Sequence, residues 1–133
     1  MAVVRAALIA MEDAVFERIV EQAFNRLPEK FQSAIDNVGI FIEEYPSEDL
    51  VRKLRLRSKH HLFGLYQGIP LTERGTWYGM SPVTPDRISL YKKNIESACR
   101  SDAETEQMIY DVLIHEIGHY FGMSEKEIRD AGY

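Results

Sequence analysis

From Asp13 to Leu27 apolar residues return every three or four positions: Val15 and Phe16, Ile19 and Val20, Ala23 and Phe24, then Leu27. That spacing predicts an amphipathic helix over 13–27. Pro28 stops it, and as a first-turn proline it starts a second helix with Phe31, Ala34 and Ile35 inward. Val38 to Ile42 reads as a strand, ended by Glu43, Glu44 and Pro46, and Leu62 to Tyr66 is a second strand candidate. Gly68 to Pro85, rich in glycine and proline, is mostly loop. Arg87 to Tyr91 alternates as a half-buried strand should. The apolar start, Met1 to Met11, reads as an extension of the first helix or a short arm.

The last third carries the clearest punctuation. Ser101 and Glu104 fit a capping box that opens a long helix to about Phe121. Met108 to Ile114 is apolar nearly all round, which predicts a helix buried within the domain. Gly122 is placed to cap its C-terminus. Ser124 and Glu127 form a second capping box, opening a short final helix with Ile128 and Ala131.

Composition narrows the class without naming it. The chain has 133 residues, 45% hydrophobic and 28% charged, with no repeat and no flexible linker, so one domain over 1–133 is expected. A net charge of −5 disfavours nucleic acid and anionic lipid as partners. No apolar run approaches the roughly 20 residues of a membrane span. Arg5 sits inside the N-terminal apolar run, and Glu12 and Asp13 follow at once, so no secretion signal is read and a cytoplasmic location is expected. The single cysteine, Cys99, fits that compartment and reads as a small buried residue. Val51 to His61 holds five of the sixteen basic residues. It lacks the aromatic interleaving of a nucleic-acid site and reads as a solvated loop or exposed edge strand.

The chemistry lies in His115-Glu-Ile-Gly-His119 on the long helix. Residues four apart share a helix face, so both imidazoles can grip one divalent metal. Glu116 is rotated about 100° from His115, beside the place where an activated water would lie. Two histidines and a glutamate in an apolar helix are costly to bury without a purpose. The pattern runs on through Gly122 to Glu125, a spacing that the extended metzincin motif uses with a third histidine. Glu125, Glu127 and Asp130 are the only acids after His119. Glu127 serves the capping box and Asp130 falls beyond the first turn, which leaves Glu125 as third ligand; its plainer role is to face a helix dipole.

Phe16 to Ala23, Leu27-Pro28 with Asp36 to Val38, Gly64 to Arg74, Pro85 to Tyr91 and His115 to Gly122 together resemble the bacterial mini-zincins, small metallopeptidases with an aspzincin-type HExxHxxGxxD motif. The likeness covers nearly the whole chain from about Phe16. It implies an α+β, minimal zincin-like fold, with a small mixed β-sheet packed on an active-site helix and N-terminal helices. It implies one zinc ion per chain, held by His115, His119 and Glu125, with Glu116 as general base and a peptide or protein as substrate. Glu125 stands where the family usually shows aspartate, and the resemblance implies that a Met-turn is lacking.

Two other functions share the spacing. Bacterial rRNA-maturation endoribonucleases use H-x3-H-x5-H, but with glycine at the position of Glu116 and histidine at that of Glu125. A metal-binding module without turnover is the other. Tyr66, Arg74, Trp77 and Tyr78 are able to stabilise an oxyanion, though packing or loop anchoring is the simpler role. His60 and His61 read as a polar turn rather than ligands, and Met108 and Met123 as core. Asp111, one turn before His115, is placed to orient its second ring nitrogen.

Overall fold

The computed structural model of the protein describes residues 3–5, 11–35, 38–68 and 86–133. The chain runs β1 (Val3–Arg5), α1 (Met11–Asn25), α2 (Glu29–Ala34), β2 (Gly39–Glu43), α3 (Glu48–Lys53), a 3-10 turn (Lys59–His61), β3 (Gly64–Gln67), β4 (Arg87–Tyr91), α4 (Lys92–Ala98), α5 (Asp102–Tyr120) and α6 (Glu125–Asp130). It is an α+β fold whose mixed sheet has the order β1-β2-β4-β3. β1, β2 and β4 are mutually parallel, and β3 pairs antiparallel with β4, Gly64 opposite Leu90 and Tyr66 opposite Ile88.

The helical periodicities hold. Phe16, Ile19, Val20, Ala23, Phe24 and Leu27 are all buried, and only Val15 turns outward, 43% exposed. Pro28 is the N-cap of α2 rather than its first residue, with ψ of 145° keeping it extended. Phe31 and Ile35 reach the core as the spacing requires.

Four elements depart from the sequence reading, one of them α4, for which no helix is expected. The N-terminal arm contributes a strand, because β1 extends the sheet with Val3 opposite Ile40. β4 does not alternate: Ile88, Ser89, Leu90 and Tyr91 are all buried, since β4 is an inner strand covered on both faces. One face carries Ile88 and Leu90 beside Ile40 and Ile42, in the core with α1 and α5. On the other, the Arg87 guanidinium lies 3.9 Å from the centre of the Phe41 ring and 3.6 Å from Glu43. The last departure lies in the basic stretch. The basic stretch is largely the exposed loop expected of it, but its first three residues close helix α3, which Ser47 caps and whose Leu50 and Lys53 line a cavity with Arg87 and Tyr91. Burial, with the Glu43 charge, pushes the Tyr91 phenol up to about 12.

Two buried polar side chains hold the connections. Asn94 is 1% exposed, and its amide donates to the Lys59 and Leu62 carbonyls at 2.7 and 2.8 Å, fixing the chain as it enters β3. The Lys92 ammonium is equally enclosed and reaches Glu96 at 2.8 Å and Asp13 at 3.1 Å, tying α4 to the start of α1. Burial works against its charge, but the two carboxylates outweigh that and hold its pKa above the ordinary value. No described helix is long and apolar enough to cross a membrane.

Candidate metal centre

α5 begins as expected, with Ser101 accepting from the Glu104 N–H at 3.2 Å. The reciprocal bond is displaced by one residue, since Glu104 accepts from the Arg100 N–H. Helix α5 is not buried all round. Ile109, Leu113, Ile114 and Ile117 face the core, whereas Met108, Val112 and His115 are half-buried and Asp111 is exposed. It lies between α1 on one side and β3 and β4 on the other, so its remaining face borders solvent.

The C-terminal end sets the geometry of the candidate ligands. Gly122 takes φ of 81°, a left-handed conformation that a side chain disfavours. Met123 N–H then bonds the Gly118 carbonyl and Gly122 N–H the His119 carbonyl, ending the helix as a Schellman turn. Two residues later the Ser124–Glu127 capping box, complete in both directions, starts α6. Its first residue is Glu125, and the reversal carries that carboxylate back over the histidines. Glu125 Oε2 lies 2.8 Å and Oε1 2.9 Å from His115 Nε2, and Oε1 lies 3.0 Å from His119 Nε2. Glu127 is held in the cap and Asp130 pairs with Lys126, so neither competes for that place.

These donors suit a zinc ion by type and spacing. Tetrahedral zinc with bonds of about 2.0–2.2 Å separates its ligand atoms by roughly 3.3 Å, so Glu125 need draw back from each imidazole by only some tenths of an ångström. The Met123 carbonyl, 3.1 Å from His119 Nδ1, can only accept, so a proton on Nδ1 has a partner there and Nε2 is the nitrogen available to a metal. His115, joined by His119, holds the Glu125 carboxyl below the usual range. Ligand atoms of His115, Glu116 and His119 also lie within 4.8 Å of one another, a grouping able to hold a metal.

Glu116 is placed differently. It is 8% exposed, and its Oε1 accepts from the Tyr66 backbone N–H on β3 at 2.7 Å. Burial pushes its pKa up, against the opposing pull of that N–H and of His119 and His115. The bond requires β3 to come close to α5, and Gly64 permits it. A Cβ on Gly64 would stand 2.4 Å from Val112 Cγ1 and 3.1 Å from the Ser89 carbonyl oxygen.

The other candidates fall elsewhere. Asp111 accepts from the Gln107 amide at 2.9 Å instead of orienting His115. His60 packs edge-on against Tyr45 within the 3-10 turn, and His61 is exposed there. Met108 is half-buried and packs against the core, and Met123 is half-buried outside it. Cys99 is half-buried, with its Sγ 3.8 Å from Met108 Sδ. Tyr66 stacks edge-on with Tyr120, while Arg74, Trp77, Tyr78 and the loop over 69–85 lie outside the described residues. Sequence reasoning missed the Tyr66 N–H and the Met123 carbonyl, because main-chain partners carry no residue-type signal.

A zincin-type centre on an α+β fold is thus what the helix, turn and cap assemble. Residues 35–133 match the family of zincin-like metallopeptidases, and the chain belongs to that family. Its membership implies a metal, and His115, Glu116 and His119 are a group able to bind one. The fold is similar to that of a conserved hypothetical protein from Thermo thermophilus, with a TM-score of 0.51 and 20% identity, covering 83% of this chain and 94% of the other. No curated protein matches the sequence.

Proposed function

We propose that the protein is a zinc-dependent peptidase in which His115, His119 and Glu125 hold the ion and Glu116 is the general base. The aspzincin-type pattern is then kept with glutamate in place of aspartate. The observation that carries this reading is the convergence of the Glu125 carboxylate on both Nε2 atoms at 2.8–3.0 Å. A bound zinc would supply a Lewis acid that polarises the scissile carbonyl and lowers the pKa of water. The protein's own residues divide the remaining work.

Glu116 Oε1 is held by the Tyr66 N–H, which directs the carboxylate while Oε2 takes the proton of the attacking water and passes it to the leaving amine. Its raised pKa suits that exchange, because a base poised closer to neutrality also gives the proton back. The Met123 carbonyl gives a proton on His119 Nδ1 its partner, and the capping box steadies Glu125 at the start of α6. The test combines zinc analysis of the purified protein with digestion of a peptide library. Stoichiometric zinc and metal-dependent cleavage are expected. Failure to hold zinc after reconstitution at neutral pH would overturn the reading.

A further inference from the structure

The helix face that borders solvent is not a flat surface. Beside His115 and Glu116 it forms a cavity of about 650 Å³, with Phe63 and Gly64 from the start of β3, and Ala98 and Cys99 from the end of α4, completing its walls. Phe63 is a large apolar side chain left 38% exposed there, and Met108 and Val112 are half-buried beside it. An apolar recess opening onto a reactive centre accepts a side chain of whatever is bound at that centre.

Charge decides which side chain. Besides Glu116, the described residues that line the recess include two carboxylates, Asp111 and Glu104, and no lysine or arginine. Asp111 is exposed, and its Oδ1 accepts a hydrogen bond from Gln107. Distance separates the two acids. With a rise of about 1.5 Å per residue, Asp111 stands about 6 Å along the helix from His115, and Glu104 about 16 Å. A lysine or arginine extends roughly 6–7 Å from its Cα, so Asp111 is within reach of a residue next to the bond being cut and Glu104 is not.

We propose that this recess selects a substrate residue with a long aliphatic stem and a cationic tip, lysine or arginine, beside the scissile bond, and that Asp111 is the specificity-determining group. The stem lies against Phe63, Met108 and Val112, and the charged tip meets the Asp111 carboxylate. The proposal rests on the peptidase reading for the position of the bond, but not for the recess itself.

Blocked hexapeptides identical except for lysine, arginine, leucine or glutamate at one position test it by two readouts on the zinc-reconstituted protein. The first is binding, followed by amide chemical shifts of Met108, Asp111 and Val112; the second is kcat/KM. Lysine and arginine peptides are expected to bind and react at least tenfold better than leucine, with glutamate poorest. Asp111→Asn, which keeps the acceptor for Gln107, should level lysine with leucine, and Asp111→Lys should favour glutamate. Binding that follows this order without cleavage of any peptide would sustain the recess and sink the peptidase reading. Cleavage indifferent to the varied residue, an order unchanged in Asp111→Asn, or no binding by any peptide would overturn the proposal.

Discussion

On one side of the histidines stands the α5–α6 junction, where His115 and Glu125 meet across ten residues of sequence; on the other stands β3, joined to Glu116 across fifty. The two glutamates differ accordingly. Glu125 is largely exposed, with its pKa drawn down by the imidazoles, whereas Glu116 is buried with its pKa pushed up. One carboxylate is favoured in its charged form, and burial disfavours the charge of the other. The same residue type is shifted in opposite directions because one side is built from local hydrogen bonds and the other from tertiary burial.

The largest separation between them should come from removing the buried acid. Glu116→Gln is expected to lower kcat by about 10²–10⁴-fold while zinc content is unchanged, measured by kinetics and metal analysis together. Its stability should move the other way. A raised carboxyl pKa means that the folded chain binds the proton more tightly than the unfolded one, so stability falls as pH climbs from the ordinary value of 4.5 through the raised one. Glu116→Gln removes that loss. Its melting temperature should exceed the parent's at about pH 7, with the gap closing as pH falls toward about 4.

Removing the exposed acid should act on the ion instead. Glu125→Ala is expected to weaken zinc binding on the order of a hundredfold or more, the share of one ligand in a structural zinc site. A helix-dipole role would predict unchanged affinity and a stability loss of about 0.3–1 kcal/mol, so zinc titration with a thermal melt separates the two.

A smaller effect probes the long-range side. Gly64→Ala should cost about 1–3 kcal/mol of folding stability, because the new methyl forces β3 away from Val112 and the Ser89 carbonyl. Activity should fall further than zinc affinity, since the displaced Tyr66 N–H serves Glu116 and not the histidines. Equal losses in both would show that the two sides are not separable.

The smallest pair of effects compares the caps. Ser124→Ala and Ser101→Ala should each cost about 1 kcal/mol, read by denaturant titration. Only Ser124→Ala should also weaken zinc binding, because Ser124 fixes the helix turn that begins with Glu125.

How far the sequence could be read follows the same division. The amphipathic pattern of α1, the stop at Pro28, the Gly122 turn and the second capping box all act within a few residues, and all were legible. So was the convergence of His115, His119 and Glu125, since one helical turn and one reversal suffice to specify it. Where the reading erred, a distant partner was involved. Arg87 to Tyr91 alternates in sequence, yet it lies between β2 and β3 with Ser89 and Tyr91 buried as fully as Ile88 and Leu90, and no local pattern reports burial on both faces.

The sequence by itself determined α1, α2, α5 and α6, most of their ends and the set of candidate metal-binding side chains, because hydrogen bonds and side-chain spacing along a helix are fixed by residues close in the chain. Only the tertiary structure decided that β1 joins the sheet, that Glu116 is buried against the Tyr66 N–H, and that a recess opens beside Asp111. Those depend on desolvation and on surfaces meeting from remote parts of the chain, quantities that no stretch of sequence contains on its own.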